Sequence, residues 1–251
     1  MENNRQTEFI RKITKALGRP APDPDFKKDL IANKMSDETR AVLTQIKERT
    51  AAERQKLLDA LIEAAVPINL KVTAFQDDHS AATAIVDLVR EKAPEWGDKK
   101  SVAAWKHPLI ESLNLPEALA EQGVPVFFAD LQKTDAQNLR RRIIDSYIGI
   151  TSADFCLADT ATLVMKTRPG QARSVSLVPS IHVAVIELSQ VIANLKELYA
   201  LLKWDPQHSK EGLTNCMSLV SGPSKTADIE ATMVHGAHGP REVYLFVITS
   251  E

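Results

Sequence analysis

Cysteine is scarce in this chain. Only Cys156 and Cys216 occur in 251 residues, far apart and in no C-x-x-C pair. A disulfide scaffold is implausible at this size. An iron–sulfur cluster held by this chain alone is excluded, since it takes more thiolates than two. Neither charge sign dominates: Lys and Arg number 31 and Asp and Glu 33, for a net charge of -2. Global attraction to nucleic acid or to an anionic membrane is therefore not expected. No apolar run approaches the roughly 20 residues that span a bilayer. The segment from Met1 to Arg11 is polar and lacks the apolar core of a secretion signal. The expected location is the cytoplasm, with no nucleic-acid or membrane partner. The chain also lacks an internal repeat, a low-complexity tract, a G-x-G-x-x-G fingerprint and a Walker A loop.

What is present is ordinary for a globular protein, with 44% hydrophobic and 25% charged residues. Phe9, Ile10, Ile13 and Leu17 fall at helical spacing, and Gly18 and Pro20 stop that helix. Pro20, Pro22 and Pro24 then mark an extended linker. A long helix is expected from Ser36 to Pro67, with Val42, Ile46, Leu57, Leu61 and Ala65 as its stripe. Beyond it, strand and helix patterns alternate. Strands are expected near 68–74, 102–105 and 124–128, with helices over 77–94 and 134–145 between or after them. Denser apolar runs at 155–157, 162–165, 181–187, 217–220 and 243–248 read as buried strands, and 189–202 as a helix. The expected fold class is α/β, a mainly parallel sheet covered by helices. Residues 1–66 form a helical extension with a proline linker, and residues 67–251 form the α/β domain. The short N-terminal helix, marginal alone, is expected to dock on a neighbouring chain, so a homo-oligomer is one expectation.

Ligands of open α/β sheets bind beyond strand ends, so the turns after apolar runs carry the candidates. Ser221-Gly222-Pro223-Ser224-Lys225-Thr226 offers hydroxyls, backbone N–H groups and a lysine to an anion. Asp228 and Glu230 follow two apart; the plain alternative is a capped turn with solvated acids. His235-Gly236-Ala237-His238-Gly239-Pro240 sets two imidazoles among glycines. Their spacing fixes no third metal ligand, so a donor or general acid–base role is as good a reading as a metal site. Asp159-Thr160-Ala161-Thr162 joins two apolar runs; Asp159 is a candidate nucleophile or base, and local turn bonding is the bland alternative. Arg168 and Arg173 flank Pro169-Gly170, where an arginine can clamp a carboxylate bidentately. His182 lies in an apolar run, where a satisfied core histidine is the commoner outcome. Arg140, Arg141 and Arg142 read as a solvated basic face.

Taken in order, several segments resemble the LUD domain of lactate-utilisation proteins. They are Gly149-Ile150-Thr151-Ser152-Ala153-Asp154; Ala158-Asp159-Thr160-Ala161-Thr162-Leu163-Val164; Arg173 through Leu177-Val178-Pro179 and His182; Ser221-Gly222-Pro223-Ser224-x-Thr226-Ala227-Asp228-Ile229-Glu230; and Gly236-x-His238-Gly239-Pro240. Ile13-x-x-Ala16-Leu17-Gly18-Arg19 is similar to the start of the protein C branch of that family. One departure is that the family usually reads Glu-Thr-Gly-Thr where this chain has Asp159-Thr160-Ala161-Thr162, and alanine lacks glycine's easy access to positive φ. The resemblance implies a fold like that of the ribose-5-phosphate isomerase and coenzyme A transferase superfamily. It also implies a part in oxidising L-lactate to pyruvate, beside iron–sulfur partner proteins that carry the redox centres. This chain would then be an accessory or substrate-handling subunit for a small carboxylate metabolite, its own cofactor unspecified. Two alternatives stand beside that reading. One is an acyl or coenzyme A transferase using Asp159 as nucleophile; the other is a non-catalytic module that binds a small acid.

Overall fold

The computed structural model describes residues 8, 11–13, 15–16, 18, 34–130, 135–211, 216–226 and 234–250, with residues 234–235 described for their backbone. Asp228 and Glu230 lie outside the described residues. The chain divides into two units, residues 1–40 and 41–251. In the first, helical residues carry an exposed Lys12–Glu8 ion pair at 3.2 Å. There Gly18 takes φ +62 and donates to Lys15 O at 3.2 Å, the stop its position predicts.

Two helices, α1 (Asp37–Lys47) and α2 (Ala51–Ala65), stand where one long helix was expected. The break has a local cause. Thr50 is extended and caps α2, its hydroxyl accepting from Glu53 N–H while the Glu53 carboxylate accepts from Thr50 N–H. This capping box starts a new helix rather than continuing the old one. The chain then alternates: β1 (Leu70–Phe75), α3 (Asp78–Glu91), β2 (Val102–Ala104), α4 (Pro108–Ser112), α5 (Leu115–Ala118), β3 (Val126–Phe128), α6 (Ala136–Ile144) and β4 (Ile148–Thr151). Next come β5 (Phe155–Leu157), β6 (Thr162–Lys166), α7 (Ser174–Leu177), β7 (Ile181–Glu187), β8 (Val191–Ile192), α8 (Leu195–Trp204) and α9 (Pro206–Glu211). The chain closes with β9 (Met217–Val220), β10 (Lys225–Thr226), β11 (Val234–His235) and β12 (Glu242–Ile248). The helix expected over 189–202 begins only at Leu195. Val191 and Ile192 pair with Cys156 and Leu157 instead, and Asn194 caps α8 through Lys196 N–H and Glu197 N–H.

Among the described residues the main sheet has six strands, ordered β1-β12-β7-β4-β2-β3, and every pairing is parallel. Both its faces are covered, which is why β7 and β12 read as unbroken apolar runs. Along β12, Tyr244, Phe246 and Ile248 meet Ala81, Ile85 and Val89 of α3 and Ile110 of α4. Val243, Leu245 and Val247 face the other way, into a core with Leu58 and Leu61 of α2, Leu139 and Ile143 of α6, and Leu163 and Met165 of β6. That second layer includes a smaller sheet, ordered β8-β5-β6-β9, in which β6 is antiparallel to both neighbours. One contact fixes the layers tightly: a Cβ on Gly149 of β4 would fall 1.9 Å from Val175 O of α7. Only glycine permits that approach. The expected α/β class and parallel sheet are therefore what the chain builds.

Candidate functional site

The carboxyl edge of the parallel sheet opens into a cleft of about 830 Å³. This is where the chain leaves β1, β2, β4 and β7, the usual ligand edge of an open parallel sheet. Each departing segment brings polar side chains: Asp78 after β1, His107 after β2, Asp154 after β4, Glu187 and Gln190 from β7 onward. The layer above adds Arg168 and Gln171 after β6, and His208 and Glu211 from α9.

The charged centre of the cleft is a four-residue cluster. Arg168 Nη2 donates to Asp154 Oδ1 at 2.5 Å and to Glu211 Oε2 at 2.8 Å, and Arg168 Nε donates to Glu211 Oε1. Lys166, fully buried behind it, places Nζ 2.5 Å from Glu211 Oε2 and 3.9 Å from Asp154 Oδ1. Asp154 is anchored further, because its Oδ2 accepts from Lys166 N–H at 2.7 Å. Hydrogen bonding to the Arg168 guanidinium, then to Lys166, draws the Glu211 carboxyl down to about 2, and the same contacts raise the Arg168 pKa. The Arg168 guanidinium is thus held between two carboxylates on the wall of the cleft.

Two imidazoles line the same cleft. His107 caps α4, its Nδ1 accepting from Leu109 N–H at 3.3 Å. That bond leaves the proton of the neutral ring on Nε2. Burial lowers the pKa of His107, and burial followed by the Lys166 charge lowers that of His208, which packs edge-on against Phe155. Neutral rings of this kind donate to, or take a proton from, a bound oxygen.

Apart from Arg168, the described residues singled out from sequence lie elsewhere. Thr162 Oγ1 sits 2.7 Å from Ser221 Oγ and donates to Thr160 Oγ1 at 2.9 Å, and Thr160 donates to Asp159 Oδ1 at 3.1 Å. These groups form a connected polar string at the β5–β6 turn. Ala161 there takes φ +46, so the bend survives without glycine. Gly222, at φ +75, packs so closely that a Cβ would lie 2.7 Å from Ile68 O, before β1. The string is thus at the amino edge of the sheet, the opposite end of β6 from Lys166. Ser224 joins the two glycine loops: its N–H donates to Pro240 O at 2.9 Å, its carbonyl accepts from Gly236 N–H at 3.0 Å, and its hydroxyl accepts from His238 N–H at 3.2 Å. Thr226 and His235 stand in the β10–β11 ladder, opposite Val234 and Lys225. Arg173 Nη1 lies 3.7 Å from Cys216 Sγ and, with Ser218, lowers that thiol's pKa. His182 is wholly buried, with Nε2 2.8 Å from Thr151 Oγ1; burial lowers its pKa to about 4.

So the Ser221–Thr226 and Gly236–Pro240 loops meet each other at Ser224, while His182 bonds to Thr151 and Arg173 lies against Cys216. Arg168 is the one cleft residue weighed from sequence. Asp154, Lys166, His107, His208 and Glu211 were missed as site residues. Lys166 ends β6 and Asp154 immediately precedes β5, and no local pattern marks the rest. Among the described residues no group of three or more His, Cys, Asp or Glu side chains could hold a metal ion, and no helix is long and apolar enough to cross a membrane.

Comparison with known proteins gives a consistent result. The chain is 28% identical to "Lactate utilization protein C" of Halalkalibacterium halodurans over 97% of each chain. It is 28% identical to the protein of the same name from Bacillus subtilis, over 66% of this chain and 70% of that one. It is also 28% identical to "Uncharacterized protein YkgG" of Escherichia coli over 96% of each chain. The crystal structure of a DUF162 family protein from Deinococcus radiodurans matches with a TM-score of 0.50 at 16% identity, covering 78% of this chain and 98% of that one. That likeness concerns the fold. The LUD domain model matches residues 58–248, from the buried face of α2 to the end of β12, and the chain belongs to the LUD domain family.

Proposed function

We propose that this chain is the substrate-handling subunit of an L-lactate-oxidising system, with iron–sulfur partner proteins receiving the electrons. The observation that carries this reading is the cleft: the Arg168 guanidinium and two imidazoles, His107 and His208, line one cavity at the carboxyl edge of the sheet. A 2-hydroxy acid offers the complementary groups, a carboxylate for the guanidinium and a hydroxyl for an imidazole. Relatives named for lactate utilisation support the choice of lactate within that class.

The division of labour follows from the balance of the reaction. Oxidising lactate to pyruvate releases electrons as well as protons, and the electrons need an acceptor. Two cysteines are too few for a cluster, and the sequence has no dinucleotide fingerprint. The acceptor is therefore assigned to partners. This chain binds and orients the acid: His107 Nε2–H donates to a substrate oxygen and His208 takes the hydroxyl proton, while the Cα hydrogen leaves as the second proton and the electron pair passes to the partners. The test is genetic and biochemical. A strain without this gene should fail to grow on L-lactate, the intact gene should restore growth and a Arg168→Gln copy should not. The tagged chain should also co-purify with cluster-bearing proteins. Normal growth of the deletion strain on lactate would refute the reading.

A further inference from the structure

We propose that Glu211 is a built-in occupant of the carboxylate site, holding the Arg168 fork until a small carboxylic acid displaces it. The inference rests on the substrate-handling reading of the cleft and adds its ligand geometry and its gate.

Glu211 sits against the guanidinium as an incoming acid would: Oε1 takes Arg168 Nε and Oε2 takes Nη2, two parallel bonds to one carboxylate. Its Oε2 also covers the buried Lys166 ammonium at 2.5 Å. The second carboxylate in the cluster differs in how it is held. Asp154 is tied by the Lys166 backbone N–H as well as by Arg168, and its side chain is nearly inaccessible. Asp154 is the permanent partner. Glu211 is the exchangeable one, for it ends the six-residue α9, in which no residue is buried. Swinging the Glu211 side chain from this last position of α9 leaves the His208–Phe155 contact in place.

Charge gives the exchange its selectivity. With Glu211 in place two cations face two carboxylates and the cluster is neutral. With Glu211 withdrawn, Lys166, Arg168 and Asp154 leave the cluster itself with one formal positive charge, in a cleft that Asp78 and Glu187 also line. A small monocarboxylate restores neutrality and satisfies both cations; a neutral amide or a chloride ion does not reproduce the paired bonds. A 2-hydroxy or 2-oxo acid has its second oxygen left to face His107 or His208, which line the same cleft.

The experiment titrates pyruvate, with lactamide and chloride as controls, into the full chain and its Glu211→Gln variant by calorimetry. If Glu211 leaves the fork free in about a tenth of molecules or fewer, it weakens the apparent affinity by at least about tenfold, so its removal should tighten pyruvate binding by that factor. Lactamide should bind neither protein. Equal or weaker binding to the variant overturns the proposal. Should the variant fold poorly, amide exchange on the unmodified chain decides. Pyruvate at saturation should speed exchange across Gln207–Glu211 relative to equimolar chloride, and unchanged exchange there overturns the proposal. The two readings fail separately. Arg168-dependent pyruvate binding without a Glu211 effect sinks the gate and leaves the substrate-handling role standing. Loss of that role shows instead as normal growth on lactate without the gene.

Discussion

Replacing Lys166 by methionine removes the buried cation of the cleft while keeping most of its volume. In the native chain that ammonium is wholly inaccessible and lies 2.5 Å from one carboxylate and 3.9 Å from another. Breaking a buried pair by removing one partner costs about 3–5 kcal/mol, because the remaining charge stays desolvated. Here Arg168 still contacts both Asp154 and Glu211, and the Glu211 side chain is one-third exposed, so about 2–3 kcal/mol is the expected loss. For a domain of this size each kcal/mol moves the melting temperature by about 2–4 °C, so Lys166→Met should melt roughly 5–10 °C below the native chain. A double-mutant cycle separates the pair from general damage. In the Lys166→Met background, Glu211→Gln should cost less than in the native chain, with a coupling of about 1 kcal/mol or more. Melting and denaturant curves at pH 7 measure both quantities. A Lys166→Met protein that melts within about 1 °C of the native chain, with no coupling to Glu211, would refute the idea that these charges form one unit.

Gly149→Ala should destabilise by about 3 kcal/mol or more, because the new methyl group meets the Val175 carbonyl, a backbone atom that cannot rotate away; urea midpoints measure it. His182 gives the chain an acid-sensitive core. Its folded pKa of about 4 lies below its unfolded value, so the unfolded state takes up the proton first as pH falls below about 6.5. Stability should therefore be full above that pH and fall by roughly 2 kcal/mol by pH 5, and His182→Asn should flatten the slope in denaturant titrations across that range. Thr162→Val breaks the string to Ser221 and Thr160 and should cost about 1 kcal/mol, read by thermal melts against Ser221→Ala in the same cycle.

The layered fold was largely legible because its signals are local. Alternation of apolar runs with helical patterns located β1, α3, β7 and β12, and Asp77 caps α3 at the start of the helix expected over 77–94. The misread stretches had local signals too. Thr50 and Glu53 spell a capping box inside what looked like one stripe, and Asn194 marks the true start of α8. The cleft was harder to see. Its residues come from positions 78, 107, 154, 168, 187 and 211, and only the packing of the second layer against the carboxyl edge of the parallel sheet brings them together. Arg168 carried a hint in the adjoining Pro169-Gly170 turn. Glu211 carried none, since an acid at the end of a short exposed helix is commonplace. The glycine–serine loops, by contrast, drew notice because they are dense in sequence. They bond to each other at Ser224 and His238, at the sheet's amino edge.

The most direct test of where the acid binds is a crystal structure of the chain with pyruvate at saturation. A pyruvate carboxylate paired with the Arg168 guanidinium, its keto oxygen toward His107 or His208 and Glu211 swung aside, is the expected result. Pyruvate bound at the Ser221–Thr226 and Gly236–Pro240 loops, with the Arg168–Glu211 pair intact, would contradict it.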